Sequence, residues 1–190
     1  PYIRGTQMEE TFIYSVLVRW GHTLFGIAWI GLLYYFNFVQ TEYVKVADPD
    51  AKSDVMKKLA PNALWWFRWA AFFTFLTGVT LLYYLQVLAT TEIVLGSIMG
   101  TLMMLNVWGI IWRNQKIVIG LKEGDAVAAG AKAGLASRTN TLFSLPMLYF
   151  MISSAHSPVK SYFMGTPATG TDPGYLGLDF LIICLVIALI

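Results

Sequence analysis

The stretch TFIYSVLVRWGHTLFGIAWIGLLYYFNFV, Thr11 to Val39, decides how the rest of the chain is read. It is almost continuously apolar, with one arginine and one histidine three residues apart inside it. About 20 apolar residues in helical form span the hydrocarbon of a bilayer. A helix is the natural form, because lipid leaves backbone polar groups no partner outside their own segment. A barrel needs short alternating strands, and this run does not alternate.

The same pattern recurs downstream. Apolar runs cover Ala63 to Val87, Ile93 to Trp112 and Thr139 to Ser154, and a fifth begins near Tyr175 and reaches Ile190. The expected architecture is all-α, a polytopic transmembrane helix bundle of four complete helices plus a fifth partial one. One integral membrane domain accounts for residues 1–190. The fifth run is shorter than a full span and has no polar stop after it, so the natural chain is expected to continue beyond Ile190.

Composition agrees. Of 190 residues, 57% are hydrophobic and 13% charged, with mean hydropathy +0.60. Soluble domains carry about 25% charged residues. The net charge of +2 is too small, and its lysines and arginines too dispersed, for a nucleic-acid partner. The expected partners are the lipid bilayer and a larger membrane protein complex. The single cysteine, Cys184, forms no disulfide within the chain, and no CxxCH or CxxC motif occurs. The start PYIRGTQMEETF lacks a short apolar region followed by a cleavage site, so the first helix reads as a retained anchor.

Basic residues set an expected orientation. Lys45, Lys52, Lys57 and Lys58 lie between the first two helices, and Arg113, Lys116, Lys122, Lys132 and Arg138 between the third and fourth. The other side has Arg4 and Lys160. The two basic loops are therefore expected in the cytoplasm and the N-terminus outside, in an inner membrane. Within the second basic loop, KIVIGLKEGDAVAAGAKAGLA (Lys116–Ala136) reads as an amphipathic segment lying along the membrane surface.

Ligand-binding candidates are few. His22 and His156 are the two histidines, and the topology puts both in the outer half of the bundle. Arg19 and His22 share a helix face. Ionisable residues inside a membrane face an interior or a cavity. Neutral imidazoles can ligate a haem b, and an arginine can pair with a propionate. His22, His156 and Arg19 are thus the candidate cofactor-binding residues, with haem iron the metal they suit. The opposing reading is an interfacial histidine bonded to a neighbouring helix, with Arg19 reaching toward water. A structural zinc site needs four ligands, which two histidines do not supply.

Other polar and small residues read structurally. Gly21, Gly26 and Gly31 suit close helix packing, LWWFRWAAFF (Leu64–Phe73) an interfacial aromatic belt, Pro146 a kink, and Asn106 and Asn140 interhelical hydrogen bonds. No GxSxG, P-loop or HExxH motif occurs.

Four blocks carry a family resemblance. RWGHTLFGIAWIG followed by YYF, APNALWWFRWAAFFTFLTGVTLLYYL, GSIMGTLMMLNVWGIIWRNQKIV and RTNTLFSLPMLYFMISSAHSP resemble, in order and spacing, the urate oxidase N-terminal membrane family, the bacterial membrane-bound urate hydroxylases. That resemblance implies a membrane helix bundle in bacteria and, in the family, urate hydroxylation. Members are usually longer, and many carry a C-terminal cytochrome c domain. The chain departs from the family at reactive residue types. Trp65 and Thr139 stand where the family has histidines, and Ala70 where it has an acid. The histidine at the end of the fourth helix aligns with Ala155, or with His156 after a one-residue insertion. Only His22 matches without adjustment. The expectation is an accessory subunit of a respiratory or photosynthetic complex on this fold. The alternatives are a haem b electron-transfer protein using His22 and His156, and a membrane urate hydroxylase.

Overall fold

The computed structural model describes residues 2–85 and 90–156, with side chains from residue 12 onward and without those of residues 84 and 85. The described residues form an all-α bundle of four long helical rods, as the apolar runs predict. The predicted fifth helix lies outside the described residues.

The first rod is α1 (Tyr2–Tyr34), a widened π-helical stretch (Tyr35–Gln40) and α2 (Thr41–Val46). Extended backbone at Ala47 and Asp48 ends it. Pro49 then opens α3 (Pro49–Asp54), at the one helical position where its missing N–H costs nothing. A second π stretch (Val55–Leu59) leads into α4 (Ala60–Leu85). The third rod joins α5 (Thr91–Asn106), a π stretch (Val107–Ile111) and α6 (Trp112–Val118). The fourth is α7 (Ala126–His156), which passes through Pro146 without a break in assignment. Two of the continuous helices, Phe12–Val46 and Thr91–Val118, are long and apolar enough to cross a membrane.

The predicted surface segment at Lys116–Ala136 is not a separate element. Its first residues finish α6, a turn follows, and the remainder is the first part of α7. Two effects produce this. Gly120 and Gly124, with φ of 80° and 154°, take the left-handed backbone that the turn requires. Asp125 then accepts hydrogen bonds at Oδ1 from the N–H groups of Val127 (2.9 Å) and Ala128 (3.1 Å), capping a helix rich in alanine. Gly130 and Gly134 weaken that helix without ending it.

The rods pair. α1 packs along α4, and α5 along α7, while α4–α5 and α1–α7 contacts are narrower. Where all four meet, Trp29, Leu33, Phe67, Ala71, Met103 and Val107 form a buried core. Ala70, Ala71 and Ala136 let backbones approach there. Polar bonds fix the register of that core end. The Tyr34 hydroxyl lies 2.8 Å from Ser144 Oγ, Asn37 Nδ2 donates to Ser137 Oγ (2.8 Å), and Asn106 Nδ2 donates to Asn140 Oδ1 (3.0 Å). Asn140 Nδ2 donates in turn to the Met103 carbonyl (2.9 Å), so the expected asparagine link is present. Arg68 sits 3.9 Å over the Trp112 ring, and Trp108 Nε1 donates to the Arg68 carbonyl (3.2 Å). The predicted aromatic belt is therefore divided. Trp65 and Trp66 are exposed, whereas Trp69 packs edge-on to Trp108 at 5.4 Å.

Candidate functional site

At the other end the two pairs stand apart, because contact between them is narrow and glycines face the gap. The result is a cavity of about 540 Å³ bounded by α1, α4, α5 and α7. Pockets of roughly 300–1,000 Å³ hold small molecules.

His22 is on its wall. Its Nδ1 lies 2.9 Å from the Thr74 carbonyl oxygen and 3.1 Å from Thr77 Oγ1. A carbonyl only accepts, so Nδ1 carries the proton. Thr77 is consistent with this, since its hydroxyl is within 2.6 Å of the Phe73 carbonyl and 3.0 Å of the Thr74 carbonyl. Nε2 of the neutral ring is then left with its lone pair, the state of a metal-ligating or proton-accepting imidazole. Gly78 makes the approach possible. A Cβ there would lie 3.1 Å from His22 Cε1.

Trp29 also borders the cavity, two turns along α1 from His22. It is 2% exposed, and its indole N–H has no acceptor among the described residues. Buried indole N–H groups usually find one. The neighbouring threonine hydroxyls donate to carbonyls of their own helices. Thr23 donates to the Arg19 carbonyl (2.9 Å), Thr74 to the Ala70 carbonyl (2.7 Å) and Thr101 to the Ser97 carbonyl (2.7 Å). The rest of the wall is mostly apolar, and includes Met147 and Met151 of α7.

The glycines divide by position. A Cβ at Gly21 would reach Phe25 and Thr77 at 3.8 and 3.9 Å, the helix-packing contact expected of it. A Cβ at Gly31 or Gly100 would meet nothing within 4 Å among the described residues, and both residues line the cavity. Their smallness preserves space there.

Of the residues predicted to bind a cofactor, His22 lines the cavity and Arg19 and His156 do not. Arg19 is exposed. His156 is exposed at the end of α7, with Nδ1 3.0 Å from the carbonyl of Ile152 on its own helix. Ile152 itself lines the cavity, so both histidines do lie toward one end of the bundle. No group of three or more histidine, cysteine or acidic side chains able to hold a metal occurs among the described residues. Sequence reading passed over Trp29 and Gly100. The available signal was the seven-residue spacing of His22 and Trp29 within a single apolar run.

No curated protein and no solved structure matches the chain. Residues 87–164 match the family model described as urate oxidase N-terminal. The match contains the whole of the GSIMGTLMMLNVWGIIWRNQKIV and RTNTLFSLPMLYFMISSAHSP blocks, which supply the α5–α7 half of the cavity, whereas His22 and Trp29 lie outside it. Over residues 87–164 the chain is similar to the urate oxidase N-terminal family.

Proposed function

We propose that the chain is an integral-membrane accessory subunit of a larger bioenergetic complex in a bacterial inner membrane. Its basic helix ends would face the cytoplasm and its N-terminus the outside. The observation that carries this reading is the outer stripe of α1, where Val16, Trp20, Leu24 and Ile27 are all exposed at helical spacing. Such a stripe suits acyl chains and apolar partner helices. Extraction in mild detergent followed by native electrophoresis tests it. Stoichiometric migration with a larger assembly is expected. Migration as an isolated chain of 21.3 kDa plus detergent would count against it.

A second reading is membrane electron transfer with a haem b on His22, although His156, the other ligand the sequence suggests, lies outside the cavity that His22 lines. It is favoured by the His22 Nδ1 bond to Thr74, since histidine ligands typically hold their second nitrogen on a carbonyl or carboxylate. His22 Nε2 would supply a ligand, and haem would supply one-electron chemistry. A reduced-minus-oxidised spectrum with a b-type band lost on His22→Ala is the expected signature. Urate hydroxylation, the family's namesake reaction, is a third reading. The cavity favours it less, because a purine needs several polar partners and the wall is mostly apolar.

A further inference from the structure

Arg68 of α4 and Lys116 of α6 meet over one ring. The Arg68 guanidinium carbon lies 3.9 Å from the centre of the Trp112 indole, and the Lys116 Nζ 5.7 Å from it. The indole face attracts both cations, but they repel each other and neither is paired with an acid. The ion pairs among the described residues are Lys45–Glu42 and Lys58–Asp54, both exposed and both on the stretch that joins the first two rods. Arg68 and Lys116 are half-buried. Their side-chain nitrogens make no hydrogen bond among the described residues, and none of those nitrogens is sealed from the surface. Two open donors of like charge, side by side, call for one anion.

The surroundings say which anion. Arg68 stands ten residues past Lys58 on a continuous helical stretch, about 15 Å along the axis. Between them Trp65 and Trp66 are exposed. In the membrane reading proposed above, on which this inference rests, exposed indoles mark the headgroup boundary. Phe72 and Leu76 then follow Arg68 at four-residue spacing along α4 and are also exposed. Phe72 packs on Trp108, whose Nε1 donates to the Arg68 carbonyl. The cations thus stand at the head of an apolar track along the α4–α5 seam.

We propose that Arg68 and Lys116 bind the phosphodiester of an anionic phospholipid whose acyl chain lies along Phe72 and Leu76. The guanidinium donates its fork of N–H groups to the phosphate oxygens, and the Lys116 ammonium donates to the same phosphate. Basic pockets between helices at a membrane surface take acidic headgroups in this way. A soluble phosphate, or a carboxylate on a partner chain, answers the charge and leaves the track empty.

The test uses the whole chain purified in mild detergent with whatever accompanies it, and counts bound lipid by native mass spectrometry. The probes are dioleoylphosphatidylglycerol, dioleoylphosphatidylcholine and glycerol 1-phosphate. Saturable binding of one phosphatidylglycerol is expected, about tenfold tighter than phosphatidylcholine, whose choline cancels the phosphate charge. Arg68→Gln is expected to weaken phosphatidylglycerol about three- to tenfold. Arg68→Lys keeps the charge and should recover part of that loss. Lys116→Gln carries the test from the other side of the ring should Arg68→Gln fail to fold. One shared phosphate makes the two losses less than additive in the double variant. Lys45→Gln removes a charge already paired with Glu42 and is expected to change nothing. The proposal fails if the two lipids bind equally. It fails if Lys45→Gln costs as much as Arg68→Gln, which would mean diffuse surface charge. It fails too if millimolar glycerol 1-phosphate displaces the lipid, which would give the site to a soluble phosphate. Washing native membranes with alkaline carbonate separates this from the membrane reading. A chain released by carbonate refutes that reading, whereas a retained chain without lipid preference refutes the site alone.

Discussion

The His22 imidazole donates through Nδ1 to the carbonyl oxygen of Thr74, 2.9 Å away on the neighbouring helix. This bond crosses the α1–α4 seam and fixes which ring nitrogen remains available. Placement of the imidazole depends on the missing side chain of Gly78.

Gly78→Val is therefore expected to displace the ring. The nearest point of an added Cβ to His22 is 3.1 Å, and valine brings two further carbons. Thermal unfolding in detergent should show a loss of about 1–3 kcal/mol, as for other overpacked sites. His22→Ala in the same background should then cost almost nothing more, and an additive loss would show that Gly78 acts elsewhere.

Trp29→Phe should behave unlike most core substitutions. The indole N–H has no acceptor among the described residues, so its removal relieves a buried unsatisfied group while keeping an aromatic ring. The variant is expected to be unchanged or up to about 1 kcal/mol more stable. A loss of several kcal/mol on thermal denaturation would mean that the N–H is bonded in the folded protein.

The glycines of α5 should separate cleanly. At Gly96 a Cβ would lie 3.2 Å from Phe150 Cβ and 3.5 Å from the Met151 backbone nitrogen, neither of which yields easily. Gly96→Ala is expected to loosen the α5–α7 pair and lower the melting temperature. Gly100→Ala, four residues on, meets no atom of the described residues within 4 Å and replaces glycine with a better helix former, so its melting temperature should hold or rise. Equal losses in the two variants would contradict the packing described.

Asn140 is fully buried, accepting from Asn106 and donating to the Met103 carbonyl. Asn140→Leu leaves the Asn106 amide without that acceptor and is expected to cost about 1–2 kcal/mol, near the upper range for interhelical bonds in membranes. A double-mutant cycle with Asn106→Leu should return a coupling of about 0.5–1.5 kcal/mol. A coupling of zero would remove this pair from the account of register.

The sequence alone determined the number and order of the described helical rods, their apolar character and the use of Asn106 and Asn140 for interhelical hydrogen bonds. These follow from hydropathy summed along one segment and from the need of a buried amide for a partner, both local properties. Two readings failed where local cues competed. The 116–136 segment mixes charge with glycine and looks interfacial, yet Gly120 and Gly124 form the turn and Asp125 caps a helix that runs straight into the bundle. Gly31 resembles Gly21 in its run, yet one faces space and the other faces α4. Only the tertiary structure decided that difference, the choice of Thr74 as partner for His22, and the isolation of the Trp29 N–H. Each depends on how far one helix is rotated and splayed against the next. That rotation is set by many small contacts from several helices at once, and no single segment of sequence carries it.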